Sequence, residues 1–281
     1  MKASGQGRNI LMELAWDGTL FKGWQRLPGA QRTVQETVEA CLSTLLSEEI
    51  NVIGSGRTDA GVHAEAQAAN FHTASGIPLR DLGEALNAAL PPDLACVSLR
   101  EALPAFHARY RALDKTYAYR LADGPDFPLA RRTSLHQARK LDDRALRLAC
   151  AAFVGRHRFR AFTNAKKDAL DYVRTVTDAR VERSGAFADL VFTADGFLYN
   201  QARLMAAAAL AVATGKLAPH AIAALLDSGD RAAAPGALGA YGLRIVSVSY
   251  RGEDFLGPAA RFGPPGAPSG TSFGLPFRRR E

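Results

Sequence analysis

The densest polar stretch of the chain is Gly54-Ser55-Gly56-Arg57-Thr58-Asp59-Ala60-Gly61-Val62-His63. It sets one carboxylate two residues from a guanidinium, between glycines that let other backbone approach closely. An aspartate carboxylate so placed is a group able to attack an electrophile. Three uses stand open for Asp59: a turn-forming side chain, a metal ligand, or a nucleophile of the kind known at sugar centres. Metal ligation would draw on His63 and His72, with no further carboxylate cluster near them in sequence. The stretch is neither a dinucleotide fingerprint, since Asp59 holds the third glycine position, nor a Walker A loop, since no Gly-Lys-Ser/Thr occurs. Cys41, Cys96 and Cys150 are odd in number and far apart, so they read as buried apolar thiols, without disulfide or zinc spacing.

Something must hold that loop, and hydrophobic periodicity predicts what. Asn9–Trp16 reads as a strand ended by Asp17-Gly18. Thr33-Val34-Gln35-Glu36 is a capping box opening a helix with Val34, Val38, Cys41, Leu42 and Leu45 on one side. Val52–Ser55 and Gln67–His72 read as strands, Leu79–Leu90 as a helix, and Leu94–Leu99 as a strand. The order is β-α-β-β-α-β. The second half repeats it loosely: strand Lys115–Leu121, a helix from Asp142 to Phe153, a hairpin Thr175–Arg183 with Ala188–Ala194, helices Tyr199–Thr214 and Pro219–Ser228, and strand Leu243–Tyr250. The predicted fold class is α+β, two ferredoxin-like domains with mainly antiparallel sheets forming a basic cleft. The expected domains are residues 1–107, carrying the Asp59 loop, and 108–250, followed by a tail at 251–281. Eight of the 14 residues in Gly263–Pro276 are Gly or Pro, which predicts an extended or disordered segment.

Charge separates the same regions. Of 35 basic residues 28 are Arg. Residues 100–183 hold 19 basic and 10 acidic groups, net +9, leaving 16 basic against 18 acidic elsewhere. That predicts a phosphate-binding face in the middle third. The apolar run Leu204–Ala213 is far short of the ~18 residues of a membrane span, and Met1–Leu20 lacks a signal-peptide pattern, so a cytoplasmic protein without membrane contact is expected.

The segment from Gly56 to Ala64 resembles the signature of the TruA family of tRNA pseudouridine synthases. Asp17-Gly18-Thr19, Gly23-Trp24-Gln25, Thr33-Val34-Gln35, Leu86-Asn87 with Leu90-Pro91, Phe106-His107-Ala108-Arg109, Lys115-Thr116-Tyr117, Arg174-Thr175, Phe197-Leu198 with Arg203, and Gly242-Leu243 leading into Tyr250 fit in the family's order. The resemblance spans about residues 8–250. It implies a cofactor- and metal-independent isomerase, acting as a homodimer on the tRNA anticodon arm at positions 38–40. The C1′–N1 bond of a uridine breaks and C5 bonds to C1′. Asp59 matches the catalytic aspartate, Tyr117 the active-site tyrosine, and Arg203 the arginine that pairs with the aspartate. Arg57 is placed to fill the stack a flipped base vacates or to hold a phosphate. His63, Arg109, Lys115, Arg156, Arg158, Arg160, Lys166 and Lys167 are candidate RNA contacts; His63, His72 and His107 read as structural or RNA-contacting rather than catalytic. Trp16 and Trp24 read as core or hinge packing, and Arg131 and Arg132 as further candidate backbone contacts. Ala206 and Ala207 stand where the family pattern predicts Val-Gly, which bears on how that helix packs. Two rival readings are a catalytically silent RNA-binding protein on the same fold, and a metal-dependent hydrolase using Asp59, His63 and His72.

Overall fold

A computed structural model describes residues 7–29, 31–165 and 171–262. In chain order its regular elements are β1 (Arg8–Trp16), α1 (Val34–Leu46), β2 (Ile53–Gly54), β3 (His63–Thr73), α2 (Leu79–Ala89), β4 (Leu94–Ala102), β5 (Asp114–Asp123), β6 (Leu135–Gln137), α3 (Asp143–Ala151), β7 (Gly155–Arg158), β8 (Val173–Ser184), β9 (Phe187–Ala194), α4 (Gln201–Ala213), α5 (Ala221–Ser228), β10 (Leu243–Ser249) and β11 (Ala260–Arg261). The fold is α+β with mostly antiparallel strands. It divides into two compact units, the described residues up to Leu113 with those from Ile245 onward, and Asp114–Arg244. The division therefore falls six residues later than the expected 107/108 boundary, and most of β10 joins the first unit. The reason is anchoring: Leu113 N–H donates to Ser249 O at 3.0 Å, and Tyr250 Oη donates to Ala108 O at 2.7 Å. The start of the expected tail is also part of this unit: β11 pairs with β4 through Ala260↔Leu99, and Phe255 bridges Ala102. Residues 263–281 lie outside the described ones.

In the first unit β1 is flanked on both sides. It runs antiparallel to β3, from Arg8↔Thr73 to Trp16↔Ala64, and to β4, from Asn9↔Ala102 to Trp16↔Leu94. Such a strand has neither edge free, and its side chains Ile10, Met12 and Leu14 are fully buried. Thr33 caps α1 as its sequence implies, Oγ1 accepting from Glu36 N–H at 3.4 Å, and the helix buries Val34, Val38 and Leu42. Short β2 pairs with β3 through Ile53↔Asn70 and Gly54↔Ala69. That pairing launches the Asp59 loop from an ordered edge.

In the second unit the strand order is β5-β9-β8-β7, every pair antiparallel, with β6 parallel beside β5. β8 and β9 form the expected hairpin, turning at Gly185 with φ +57°. Asp142 caps α3, accepting from Arg144 and Ala145 N–H at 2.8 and 3.1 Å. α4 packs on α3. Ala206, Ala207, Ala208 and Ala209 are all buried there, so the methyls at 206 and 207 are seated within that packed helix. Opposite on the sheet, Asp189 holds two guanidiniums. Arg120 donates to it bidentately at 2.8 and 2.7 Å, and Arg244 at 3.2 and 2.8 Å.

Cys96 and Cys150 are buried as expected, and burial pushes both thiols up to about 12. Cys41 is only half-buried.

Candidate active site

The Asp59 loop is fastened at both ends and against its back. At its entry Ser55 N–H donates to Ala68 O at 2.8 Å. Gln67, fully buried, accepts from Ser55 Oγ and donates to the Gly56 carbonyl, both at 2.8 Å. In the middle Trp24 N–H donates to Thr58 O at 3.1 Å. At the exit Val62 N–H closes a turn on Asp59 O at 3.2 Å, with Gly61 at φ +80°, a region glycine enters without strain. Arg57 is exposed and Asp59 half-buried on this frame, whereas Thr58 between them is buried.

The sequence blocks around residues 17–25 converge on that loop. A Cβ on Gly18 would stand 2.2 Å from Val62 O, and one on Gly23, at φ +93°, 2.7 Å from Thr58 O. Gly54 lies against the Trp24 ring in the same way. Trp16 and Trp24, read as packing residues, are buried with ring centroids 5.9 Å apart, and Trp16 Nε1 donates to Val62 O at 2.9 Å. His63 is buried, and its Nδ1 accepts from Gly18 N–H at 3.0 Å. Asp17 Oδ1 lies 3.3 Å from the same nitrogen; the shorter Gly18 contact has the donor, so we read it as the bond that orients the ring. Here His63 serves the backbone of the 17–19 turn.

The proposed metal trio fails on distance. His63 and His72 lie nine residues apart on one extended strand, roughly 30 Å at ~3.3 Å per residue. Among the described residues no group of three or more His, Cys, Asp or Glu side chains could hold a metal ion.

In the second unit Tyr117 is buried on β5 opposite Phe192, its ring edge-on to Phe197 at 4.9 Å. Tyr119 is on the same face and donates to Gly239 O at 2.9 Å, while Arg203 Nε donates to the adjacent Leu238 O at 2.7 Å. Arg203 thus sits in the first turn of α4 beside the Tyr119 face. Burial, with Tyr241 nearby, pushes the Tyr119 hydroxyl well above the phenol range, against the pull of Arg203. Arg156, Arg158 and Arg160 are exposed on and after the edge strand β7, and Lys115 is half-buried at the start of β5. Arg131 is ion-paired with Asp126. Arg109 is exposed in the first unit. Lys166 and Lys167 lie outside the described residues.

Sequence reading passed over Gly18 and Gly23 as backbone seats, and over Gln67 and Tyr110. The glycines were visible in their motifs, but their contact with the Asp59 loop spans some 35 to 45 residues of chain.

The family model described as tRNA pseudouridine synthase matches residues 15–111 and 149–251, taking in the Asp59 loop and Arg203. "tRNA pseudouridine synthase A 2" of Clostridium perfringens is 38% identical over 244 residues, 86% of this chain and 100% of that protein. "tRNA pseudouridine synthase A" of Caldicellulosiruptor bescii is 41% identical over the same shares, and its namesake from Acetivibrio thermocellus 38% over 245 residues, again 86% and 100%. With the family model matched over residues 15–111 and 149–251 and these relatives covered over their whole length, the chain belongs to the tRNA pseudouridine synthase family.

Proposed function

We propose that this chain isomerises uridine to pseudouridine at positions 38–40 of the tRNA anticodon arm, with Asp59 as the catalytic carboxylate. The observation that carries this is the frame around Asp59. A half-buried carboxylate beside exposed Arg57 is held through Gly56, Thr58 and its own carbonyl, so it meets a substrate without first having to order the loop. In the reaction the C1′–N1 bond breaks, N1 gains a proton, C5 bonds to C1′, and the C5 hydrogen leaves as a proton. No oxidant or cofactor enters that balance. Asp59 supplies the nucleophile or base at the target nucleotide, Arg57 occupies the vacated stack, and Tyr117 stacks on uracil with its hydroxyl serving the C5 proton. Arg203 keeps the role that the family resemblance assigns to it. Arg109, Lys115, Arg156, Arg158, Arg160, Lys166 and Lys167 meet phosphates. The reading extends to two ferredoxin-like domains and a cytoplasmic homodimer.

The test is tritium release from tRNA transcribed with uridine labelled at C5, wild type beside Asp59→Ala. Release by wild type alone, with the variant still binding tRNA within a few fold, is expected. Binding without release by the wild type would favour the silent RNA-binding protein. Release surviving in Asp59→Ala would move the active site elsewhere.

A further inference from the structure

Tyr110 carries the inference. It is 76% exposed, an unusual position for a large aromatic side chain. Its ring lies 4.3 Å from that of His107 at 33°, and the Arg109 guanidinium stands 5.9 Å from its centroid. The segment bearing these groups is rigidly seated. Phe106 and Ala108 point inward and are buried; Phe106 packs against Tyr250 and Phe255 at 5.1 and 5.5 Å. Ala108 N–H donates to Asn70 Oδ1 at 2.8 Å, and its carbonyl accepts from Tyr250 Oη. Asn70 is in turn bonded to Asn9, whose amide donates to the carbonyls of Leu103 and Phe106. A turn then closes, Tyr110 and Arg111 N–H both donating to His107 O at 3.1 and 3.0 Å. Buried polar groups are thus committed to fixing a segment whose outward side shows one aromatic ring backed by an imidazole and flanked by cations.

We infer that Tyr110 is a stacking platform for an unpaired RNA base, with His107 behind it and Arg109 beside it for the adjoining phosphate. The inference rests on the proposed action on tRNA, whose loop bases are free to stack on aromatic side chains. It adds a base contact distinct from the target uridine, on the first unit, where the phosphate-contacting residues alone would give only sequence-blind charge.

The experiment measures binding of unmodified tRNA transcript, and tritium release on the same preparations, for wild type, Tyr110→Phe and Tyr110→Ala. Loss of one stacked base predicts about 5- to 150-fold weaker binding in Tyr110→Ala. Tyr110→Phe keeps near wild-type affinity, and both keep the wild-type unfolding midpoint because the ring is exposed. Wild-type affinity in Tyr110→Ala overturns the inference. So does equal loss in Tyr110→Phe, which would make the hydroxyl the contact. A wild type that binds through Tyr110 yet releases no tritium would uphold the platform and remove the reaction, so the two readings fail separately.

Discussion

Gly18 lies against the carbonyl of Val62 so closely that a Cβ built on it would stand 2.2 Å from that oxygen. The same oxygen accepts the Trp16 indole N–H, and Val62 N–H closes the turn on Asp59. Gly18→Ala therefore cannot be absorbed by a flexible side chain; backbone of the Asp59 loop has to move. The expected cost is about 1–3 kcal/mol, as for overpacking elsewhere. Tritium release should fall by more than tRNA affinity does. Denaturant midpoints and single-turnover rates check this, and a wild-type rate in Gly18→Ala would mean that Gly18 does not set the loop's position.

Gln67 holds the other end of the loop with one donor and one acceptor. Gln67→Leu takes this partner from the buried Ser55 Oγ and the half-buried Gly56 carbonyl, at about 1–3 kcal/mol. Gln67→Glu keeps the acceptor toward Ser55 but sets a carboxylate against the Gly56 carbonyl, so it should be the worse of the two at neutral pH. Because Gly56 directly precedes Arg57, we expect kcat to drop while tRNA affinity stays within a few fold. Equal losses in both parameters would reduce Gln67 to a general stability contact.

Much of this arrangement was legible in the chain, for reasons that differ by residue. Thr33 and Asp142 announced their helices because capping is local chemistry. The β-α-β-β-α-β order of the first unit followed from periodicity, although β3 begins at His63 rather than Gln67, since the alternation there is carried by alanine, a small side chain with low strand preference. β7 was missed. Its sequence Gly155-Arg156-His157-Arg158 carries no apolar residue, and it is an edge strand defined only by its pairing with β8. The closing strand was read by sequence proximity as part of the second domain; the bonds from Ser249 and Tyr250 back to Leu113 and Ala108 are long-range and leave no local mark. The Asp59 loop was recognisable from its residues. That Gly18 and Gly23 press on it was not, because a glycine needed for close approach looks the same in sequence as one needed for a turn.

The arginines on and just after β7 make a quantitative prediction. If tRNA phosphates are neutralised by exposed Arg156, Arg158 and Arg160, log affinity falls linearly with log salt, with a slope of about −0.7 to −0.9 per phosphate. Each Arg→Ala change should flatten that slope by about 1 and weaken binding evenly across tRNA sequences. Filter binding between low and moderate salt measures it. Slopes unchanged in all three variants would take β7 off the RNA-binding face.

Asp189 links the second unit's stability to pH. Burial by itself would raise its pKa, but the guanidiniums of Arg120 and Arg244 outweigh that and hold it below the ordinary aspartate value. The unfolded chain therefore takes up this proton at higher pH than the folded one does. The stability contributed is complete above the unfolded value, and it is lost as pH falls from about 4 toward the folded value. Asp189→Asn leaves two largely buried guanidiniums without their carboxylate and should cost about 3–5 kcal/mol at neutral pH. In that variant the decline of the urea midpoint below about pH 4 should be shallower than in wild type, because one titrating group is gone. If Asp189→Asn declines as steeply as wild type, the acid sensitivity belongs to other carboxylates, with Asp123, held below its ordinary value chiefly by Arg183 against the effect of its burial, the next to replace.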